Sequence, residues 1–188
     1  MEIKIIIIVV CSTVALILLM LFAIAILSDK LLFGTRSEKN PLLKYFTAED
    51  FNLSTREVEL ANGLKGFIYS KADVPQKDKL IIFCHGMGPG HIAYTTEIAY
   101  FCNFGYSVLA VDNRGCNLSD GKNMKGMYSG AQTAISAIDF AKEQGFNNLI
   151  LVGHSWGAYS ALCATKKRKV DKVVSIRAPN TPATTLKY

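Results

Sequence analysis

A serine between two glycines is the residue of this sequence best suited to covalent chemistry. The segment Gly153-His154-Ser155-Trp156-Gly157 follows a short apolar run over 149–152 and opens an apolar helical pattern. At such a junction the serine lies on a sharp turn that exposes its hydroxyl, and the flanking glycines let neighbouring backbone approach closely. The helix N-terminus just beyond favours developing negative charge. The pattern therefore predicts that Ser155 is a nucleophile that attacks an acyl carbon.

A second segment has the composition needed to hold the oxyanion of such a reaction. His85-Gly86-Met87-Gly88-Pro89-Gly90 directly follows the apolar run 80–84. Acyl transfer requires backbone N–H groups aimed at the developing negative charge. One donor is expected from the residue after the nucleophile, Trp156, and the other from the loop after an earlier strand. Met87 is the predicted second donor and Gly86 the less favoured one, whereas Pro89 has no N–H to donate.

Four apolar runs separated by helical patterns must position these two segments. The runs cover 80–84, 107–111, 149–152 and 173–176, and the predicted helices cover 91–104, 128–144 and about 155–166. Continuous apolar runs are typical of strands buried on both faces, and glycine commonly follows a helix end, as Gly105 and Gly145 do here. The alternation predicts an α/β fold, with a mostly parallel sheet and helices on both faces. Asn62-Gly63, between strand-like runs over 57–60 and 64–69, predicts an antiparallel hairpin before it.

Three motifs in this order resemble the α/β-hydrolase superfamily, and in particular its serine aminopeptidase and monoglyceride-lipase-like branch. They are His85-Gly86, the segment Asp112-Asn113-Arg114-Gly115-Cys116-Asn117-Leu118-Ser119, and the segment around Ser155. Members of that branch carry Asp-x-Arg-Gly-x-Gly-x-Ser after the fourth strand, and Asn117 stands here in place of the second glycine. The resemblance covers about residues 55–179 and implies the α/β-hydrolase fold, with no cofactor and no metal. It also implies a structural role for Asp112, with Arg114 as its candidate partner.

The resemblance implies a catalytic acid and then a histidine after the nucleophile. Asp171 is the one acidic residue after Ser155, at the start of a predicted strand, and no histidine follows His154. His154 and His85 are expected to be structural, and nothing marks His91 as a base. The domain over 55–188 is therefore expected to be a partial α/β-hydrolase domain that lacks two strands and two triad members. We expect the 188-residue chain to be an N-terminal fragment that is inactive alone.

Two hypotheses from different classes remain open. The first is a membrane-anchored serine hydrolase of ester or amide bonds that acts on a small or lipid-like acyl substrate through an acyl-enzyme. Serine at position 155 argues against epoxide hydrolase or haloalkane dehalogenase chemistry, for which the resemblance would require aspartate. The second is a non-catalytic, membrane-tethered remnant, and an acyltransferase would share Ser155 with the first.

The N-terminal segment is long and apolar enough to cross a membrane. Residues 5–27 contain no charged side chain, and a helix of that length spans the hydrocarbon core of a bilayer. We predict a single-pass transmembrane helix over 5–27. A cleaved signal peptide is the alternative, since Ala23-Ile24-Ala25 resembles a cleavage site, but the apolar run continues through Leu27. The flanking charges are too balanced to assign the side of the catalytic domain.

The connector between the predicted span and the domain covers residues 28–54. Its polar stretch over 34–41 is predicted to be flexible. Thr47 and Asp50 have the spacing of a capping box, which indicates a short helix over 42–52.

The net charge of +6 and the pI near 9.0 suit an anionic membrane surface. The densest basic run, Lys166-Lys167-Arg168-Lys169, lies where a helix should end, and the helix dipole favours cations there. No nucleic-acid motif accompanies this run, so no nucleic-acid partner is expected. The five cysteines show neither a disulfide framework nor metal-like spacing.

Overall fold

The computed structural model describes residues 2–179 as four helices and six strands. The helices are α1 (Glu2–Phe33), α2 (Thr95–Asn103), α3 (Ser129–Glu143) and α4 (Trp156–Thr165). The strands are β1 (Ser54–Leu60), β2 (Leu64–Ser70), β3 (Leu80–Cys84), β4 (Ser107–Val111), β5 (Leu149–His154) and β6 (Lys172–Ile176). Short 3-10 turns over Glu49–Phe51 and His91–Tyr94 precede β1 and α2.

The six strands form one mixed sheet in the order β1-β2-β4-β3-β5-β6. Strands β3 to β6 are mutually parallel, whereas β1 and β2 form an antiparallel pair that joins the sheet along β4. From β3 the chain passes outward to β4 and then returns across β3 to β5. The strand order therefore reverses between β3 and β5, which is the position where open α/β sheets bind ligands.

Alternate residues of the central strands build a core on each face of the sheet. Helices α3 and α4 cover one face, where their alanines pack in one cluster with Leu80, Ile82 and Leu151 of the strands. Helix α2 covers the other face, where Ile98 packs in a cluster with Phe83. The predicted arrangement of helices on both faces is confirmed.

The predicted hairpin is present, with a tight turn at the predicted residues. Leu60 pairs with Leu64, so the turn consists of Ala61–Gly63. Asn62 and Gly63 have φ values of 63° and 68°, and asparagine and glycine tolerate this left-handed conformation better than other residues.

Strand β6 is exposed on both faces despite its apolar sequence. All five of its residues are exposed, and Val174 retains 45% of its accessible surface. The reason is its position, because among the described strands β6 pairs with β5 alone and forms the edge of the sheet.

Helix α1 extends beyond the predicted span at both ends, and its C-terminus contacts the domain. Phe33 is buried, with its ring packed edge-on against that of Trp156 at 5.5 Å between centroids. Arg36 donates to the carbonyl oxygens of Ser119 and Gly121 at 2.8 and 3.0 Å and also to that of Asn117. The expectation that 34–41 is flexible is therefore wrong around Arg36, whose guanidinium joins this segment to the loop after β4.

The short helix predicted over 42–52 is reduced to the 3-10 turn Glu49–Phe51. The predicted capping contact is present, because the backbone N–H and hydroxyl of Thr47 donate to Asp50 Oδ2 at 2.7 and 3.2 Å. The left-handed conformation of Asn52, with φ of 53°, ends the turn before another helical residue is added.

Candidate active site

Ser155 lies on a sharp turn between β5 and α4. Its φ and ψ are 53° and −120°, a combination that glycine adopts far more readily than other residues. The surrounding backbone holds it there: the Ser155 N–H donates to the carbonyl of Ile176 at 2.8 Å, and its own carbonyl accepts from Ala158 at 3.0 Å. The turn thus holds Ser155 in a strained backbone conformation at the start of α4.

The two glycines of the motif are required by the backbone packed against them. A Cβ at Gly153 would collide with the carbonyl of Gly157, and a Cβ at Gly157 would collide with the carbonyl of Cys84. Rigid main chain cannot move aside as a flexible side chain can. The glycines therefore let α4 start directly against the ends of β3 and β5.

The structure brings the glycine-rich loop 85–90 next to this turn. The loop follows β3, the turn follows β5, and Cys84 pairs with Gly153 where the two strands end side by side. A Cβ at Gly86 would lie 3.3 Å from the carbonyl oxygen of His154. The two segments that the sequence singled out therefore meet where the strand order reverses.

The two candidate donors in the loop differ in their availability. The N–H of Gly86 donates to the hydroxyl of Tyr94 at 3.1 Å and is thereby occupied. Met87 is the next residue, with 42% of its surface exposed. The Gly86 N–H is thus used within the fold, and Met87 supplies the next backbone N–H along the loop.

Trp156, the other predicted donor, is the first residue of α4. Backbone N–H groups in the first turn of a helix have no partner within the helix, so the N–H of Trp156 can serve a ligand by its position. Its side chain has a separate role. The indole is buried, and its Nε1–H donates to the carbonyl of Met127 at 2.7 Å.

Tyr94 links the loop to the turn, a role that the sequence did not reveal. Its hydroxyl accepts from Gly86 and lies 2.9 Å from Nδ1 of His154. Burial raises the pKa of Tyr94, and this effect outweighs the opposing hydrogen bond from Gly86. The neutral phenol can therefore accept from Gly86 while it donates to His154. An aromatic residue at the start of a helix gives no sequence signal for such a bridge.

Asp112, expected to be structural, lies at the centre of a buried network. Its Oδ1 accepts from the backbone N–H of His91 and lies 2.8 Å from His91 Nδ1, while its Oδ2 accepts from the side-chain amide of Asn117 at 2.8 Å. The candidate partner Arg114 is not among its contacts in the described part of the chain. Asn117 has a φ of 42°, a left-handed conformation that asparagine tolerates better than most residues, and its side chain supplies the hydrogen bond to Asp112.

All three histidines of the chain are held by fold contacts. His85 is fully buried, its Nε2 accepts from the backbone of Asn113 at 2.9 Å, and its Nδ1 lies 2.6 Å from the Gly86 carbonyl. His91 is bound to Asp112, and His154 contacts Tyr94. These contacts give each ring a positioning role, as expected for His85 and His154.

Across residues 2–179, no group of three or more His, Cys, Asp or Glu side chains is arranged to hold a metal ion. The four cysteines at 84, 102, 116 and 163 are free thiols, as is Cys11 in α1. Burial raises the pKa of Cys84 to about 12, so this thiol stays protonated beside the site.

The sheet order, the strained serine turn and the adjoining glycine loop define an α/β-hydrolase. The chain belongs to the serine aminopeptidase (S33) family, whose family model matches residues 75–181. This agrees with the branch that the motifs resemble.

Curated relatives match over part of their length. The AB hydrolase superfamily protein YfhM of Bacillus subtilis is 28% identical over 103 residues, covering 54% of this chain and 36% of that protein. Epoxide hydrolase 3 of Siraitia grosvenorii is 25% identical over 127 residues, covering 65% of this chain and 39% of that protein. The chain thus spans less than two fifths of the length of either relative.

Solved structures support the fold. The Pyrococcus furiosus esterase Pf2001 superposes with a TM-score of 0.64 at 19% identity, over 77% of this chain and 58% of the esterase. XC6422 from Xanthomonas campestris, described as a serine hydrolase without a lid, gives 0.59 at 19% identity, over 74% and 66% of the two chains. The predicted fold class is confirmed.

Proposed function

We propose that this chain is the N-terminal part of a membrane-anchored serine hydrolase that cleaves ester or amide bonds through an acyl-enzyme. Ser155 attacks the acyl carbon, and the backbone N–H groups of Met87 and Trp156 hold the oxyanion. The observation that carries this proposal is the strained conformation of Ser155 beside the glycine loop, at the point where the strand order reverses.

The chemistry at position 155 favours ester or amide substrates. A serine that attacks a carbonyl forms a tetrahedral oxyanion, and removing one oxyanion donor costs about 10²–10³ in kcat. Several relatives are named epoxide hydrolases. The family resemblance assigns an aspartate to the nucleophile position in such enzymes, so the serine favours acyl chemistry here.

The proposal places the general base and its acid partner outside these 188 residues. Each of the three histidines is already engaged by Gly86 and Asn113, by Asp112, or by Tyr94. The small share of each curated relative that the chain covers supports the same conclusion. Without a base, a serine hydroxyl is a weak nucleophile, so the 188-residue chain alone is expected to be inactive.

The membrane anchor is α1. It is the single helix among the described residues that is long and apolar enough to cross a bilayer, and a signal sequence of the same length and composition is the alternative. Residues 3–32 are all exposed in the structure, as expected for a helix that needs lipid around it. An anchor of this kind brings the site close to lipid-like acyl substrates.

The test is labelling by a fluorophosphonate probe, which reacts with an activated serine. The open reading frame is first sequenced past the codon for Tyr188, and the complete product is expressed in membranes. Wild type should label, Ser155→Ala should not, and Ser70→Ala at the end of β2 should label like wild type. Labelling that survives in Ser155→Ala would show that Ser155 is not the nucleophile.

Met87 variants test the oxyanion assignment within the same experiment. Met87→Ala keeps the backbone N–H and should label at nearly the wild-type rate. Met87→Pro removes the N–H and should slow labelling about 10²–10³-fold. Equal rates for the two variants would remove Met87 from the proposed oxyanion hole.

The alternative is a non-catalytic remnant of the family. It predicts that translation ends at Tyr188 and that the natural product resists the probe while remaining folded. Absence of labelling in a folded wild-type protein, together with a stop codon at that point, would favour the remnant over the hydrolase.

A further inference from the structure

An open cavity of about 290 Å³ is lined by residues outside the serine turn and the glycine loop. Its walls come from the hairpin turn, the loop after β4 and the first turns of α3. Arg114 and Lys125 are the cations of this wall, and the other lining residues are neutral: Asn62, Leu64, Ser129, Gln132, Thr133 and Ser136. A cavity with two cations and no acidic residue among those that line it favours an anionic occupant.

Arg114 is held in the wall with part of its guanidinium unsatisfied. Its side chain packs on Gly121, where an added Cβ would lie 2.8 Å from Arg114 Cγ and 3.2 Å from Cζ. Within the described part of the chain, Arg114 Nε is buried without a hydrogen-bond partner. Because Nε is buried in the wall, the terminal nitrogens of the guanidinium are the Arg114 donors that can reach a ligand in the cavity.

Lys125 is presented to the cavity by a constrained loop. Its φ of 53° is left-handed, and the hydroxyl of Ser129 donates to the Gly126 carbonyl at 2.9 Å and to that of Met124. The positive end of the α3 dipole lies at Ser129, in the same wall. Arg114, Lys125 and this helix end therefore place positive potential around one space.

We propose that this cavity binds a phosphate group through Arg114 and Lys125. A guanidinium pairs with two phosphate oxygens at once, and an ammonium adds a point charge. Asp120 opposes such binding, because its carboxylate lies against Gly63. The sequence neighbours of Gly63, Asn62 and Leu64, both line the cavity. The site should therefore bind more tightly when Asp120 is neutralised.

The position of the loop favours a lipid headgroup as the source of the phosphate. A Cβ at Gly126 would lie 3.3 Å from Asp29 Oδ1. Asp29 is two residues beyond the uncharged stretch of α1, which is about 3 Å along the helix axis. If α1 spans the bilayer, Asp29 lies within the headgroup layer. Gly126, the neighbour of Lys125 in the sequence, then lies beside lipid phosphates.

The experiment measures the thermal unfolding midpoint of the full chain under three conditions. These are maltoside micelles, which contain no phosphate; the same micelles with inorganic phosphate; and maltoside micelles containing phosphatidic acid. Ligand at about ten times its Kd should raise the midpoint by about 3–6 °C. Arg114→Gln and Lys125→Gln should lose this rise, and Asp120→Asn should reach it at lower concentration.

Lys122→Gln is the matched control, because it removes the same charge from the same loop but does not line the cavity. It should keep the full rise. A rise with phosphatidic acid alone identifies a lipid headgroup, and a rise with inorganic phosphate as well identifies a general phosphate site. The proposal is overturned if neither ligand raises the midpoint, or if Lys122→Gln loses as much as Lys125→Gln. No outcome depends on Ser155 or on hydrolase activity.

Discussion

Asp112 Oδ1 lies 2.8 Å from both the backbone nitrogen and the imidazole Nδ1 of His91, and both side chains are buried. This double contact joins the end of β4 to the residue that follows the glycine loop. Because His91 comes directly after Gly90, the carboxylate fixes the C-terminal end of the proposed oxyanion loop. Burial alone would raise the pKa of Asp112, but the hydrogen bonds and charges of His91 and the charge of His85 outweigh it, so the pKa is lowered.

Replacing Asp112 by asparagine tests how much this contact stabilises the domain. The Asp112→Asn variant would keep the shape of the side chain but lose the charge that His91 and Asn117 contact. Hydrogen bonds to a charged group contribute about 1.5–3 kcal/mol, so we expect a loss of at least that size in the free energy of unfolding. Denaturant titration of the full chain in micelles measures it.

Asp139→Asn serves as the comparison for Asp112→Asn. Asp139 pairs with Arg168 at 2.6 Å, but both side chains are about 40% exposed. Partly exposed pairs of this kind contribute about 0–1 kcal/mol. If the two variants lose equal stability, the buried network around Asp112 has no special structural role.

The second prediction concerns acid stability and rests on His85. Burial lowers the pKa of His85 below its ordinary value of 6.5, only partly offset by the charge of Asp112 and the Gly86 carbonyl. Below pH 6.5 the unfolded chain therefore binds a proton that folded His85 does not, and the folded state loses stability as the pH falls. The depressed pKa of Asp112 acts in the same direction below its ordinary value of 3.8.

His85→Gln should remove part of this pH dependence. A glutamine oxygen can accept from the Asn113 N–H in place of Nε2, but it does not titrate. We expect the variant to be less stable than wild type at about pH 7.5 and to lose less additional stability on going to about pH 5.5. Unfolding free energies at several pH values check this. A variant with the same slope as wild type would show that His85 is not the titrating group.

Most of the sheet and the motif positions could be predicted from the sequence because they rest on local patterns. The apolar runs predicted β3, β4 and β5, and Asn62-Gly63 predicted the hairpin. The proximity of Ser155 to loop 85–90 could also be predicted, because the parallel strands that precede them end at the same edge of the sheet. Local patterns cannot reveal contacts between distant segments. The Arg36 contacts reach residues more than 80 positions away, and a polar stretch with a lone arginine has the composition of a linker.

Ser155 departs from the backbone conformation that its residue type prefers, and it supplies the third prediction. Backbone strain of this kind costs a residue other than glycine about 1–3 kcal/mol. Glycine avoids the strain but destabilises the folded state by about 0.5–1 kcal/mol relative to alanine, because its unfolded chain has more conformational entropy. We therefore expect Ser155→Gly to be more stable than Ser155→Ala by about 1 kcal/mol. Denaturant titration of the two variants measures this difference.

Ser175→Gly is the control for the glycine effect, since Ser175 lies in the extended backbone of β6. It should lose stability relative to Ser175→Ala, because glycine in a strand is unfavourable. If Ser155→Gly behaves in the same way, the turn at position 155 is not strained.

The last prediction concerns the junction between α1 and the domain. Phe33 is buried beside Trp156, so Phe33→Ala should leave a cavity under α4 and cost about 3–5 kcal/mol. Leu31→Ala, two residues earlier on an exposed part of the helix, should change the free energy of unfolding by less than about 0.5 kcal/mol. Micelle-solubilised full chain is used for both.

Arg36→Lys refines this test, because it keeps the charge but loses the planar fork that contacts the carbonyls of Asn117, Ser119 and Gly121. A lysine cannot satisfy all three at once, so a loss of about 1–3 kcal/mol is expected. Limited proteolysis between α1 and β1 should become faster in the same variant, since the segment is released from the loop after β4. Wild-type stability and wild-type cleavage in both Phe33→Ala and Arg36→Lys would mean that neither contact fixes α1 to the domain.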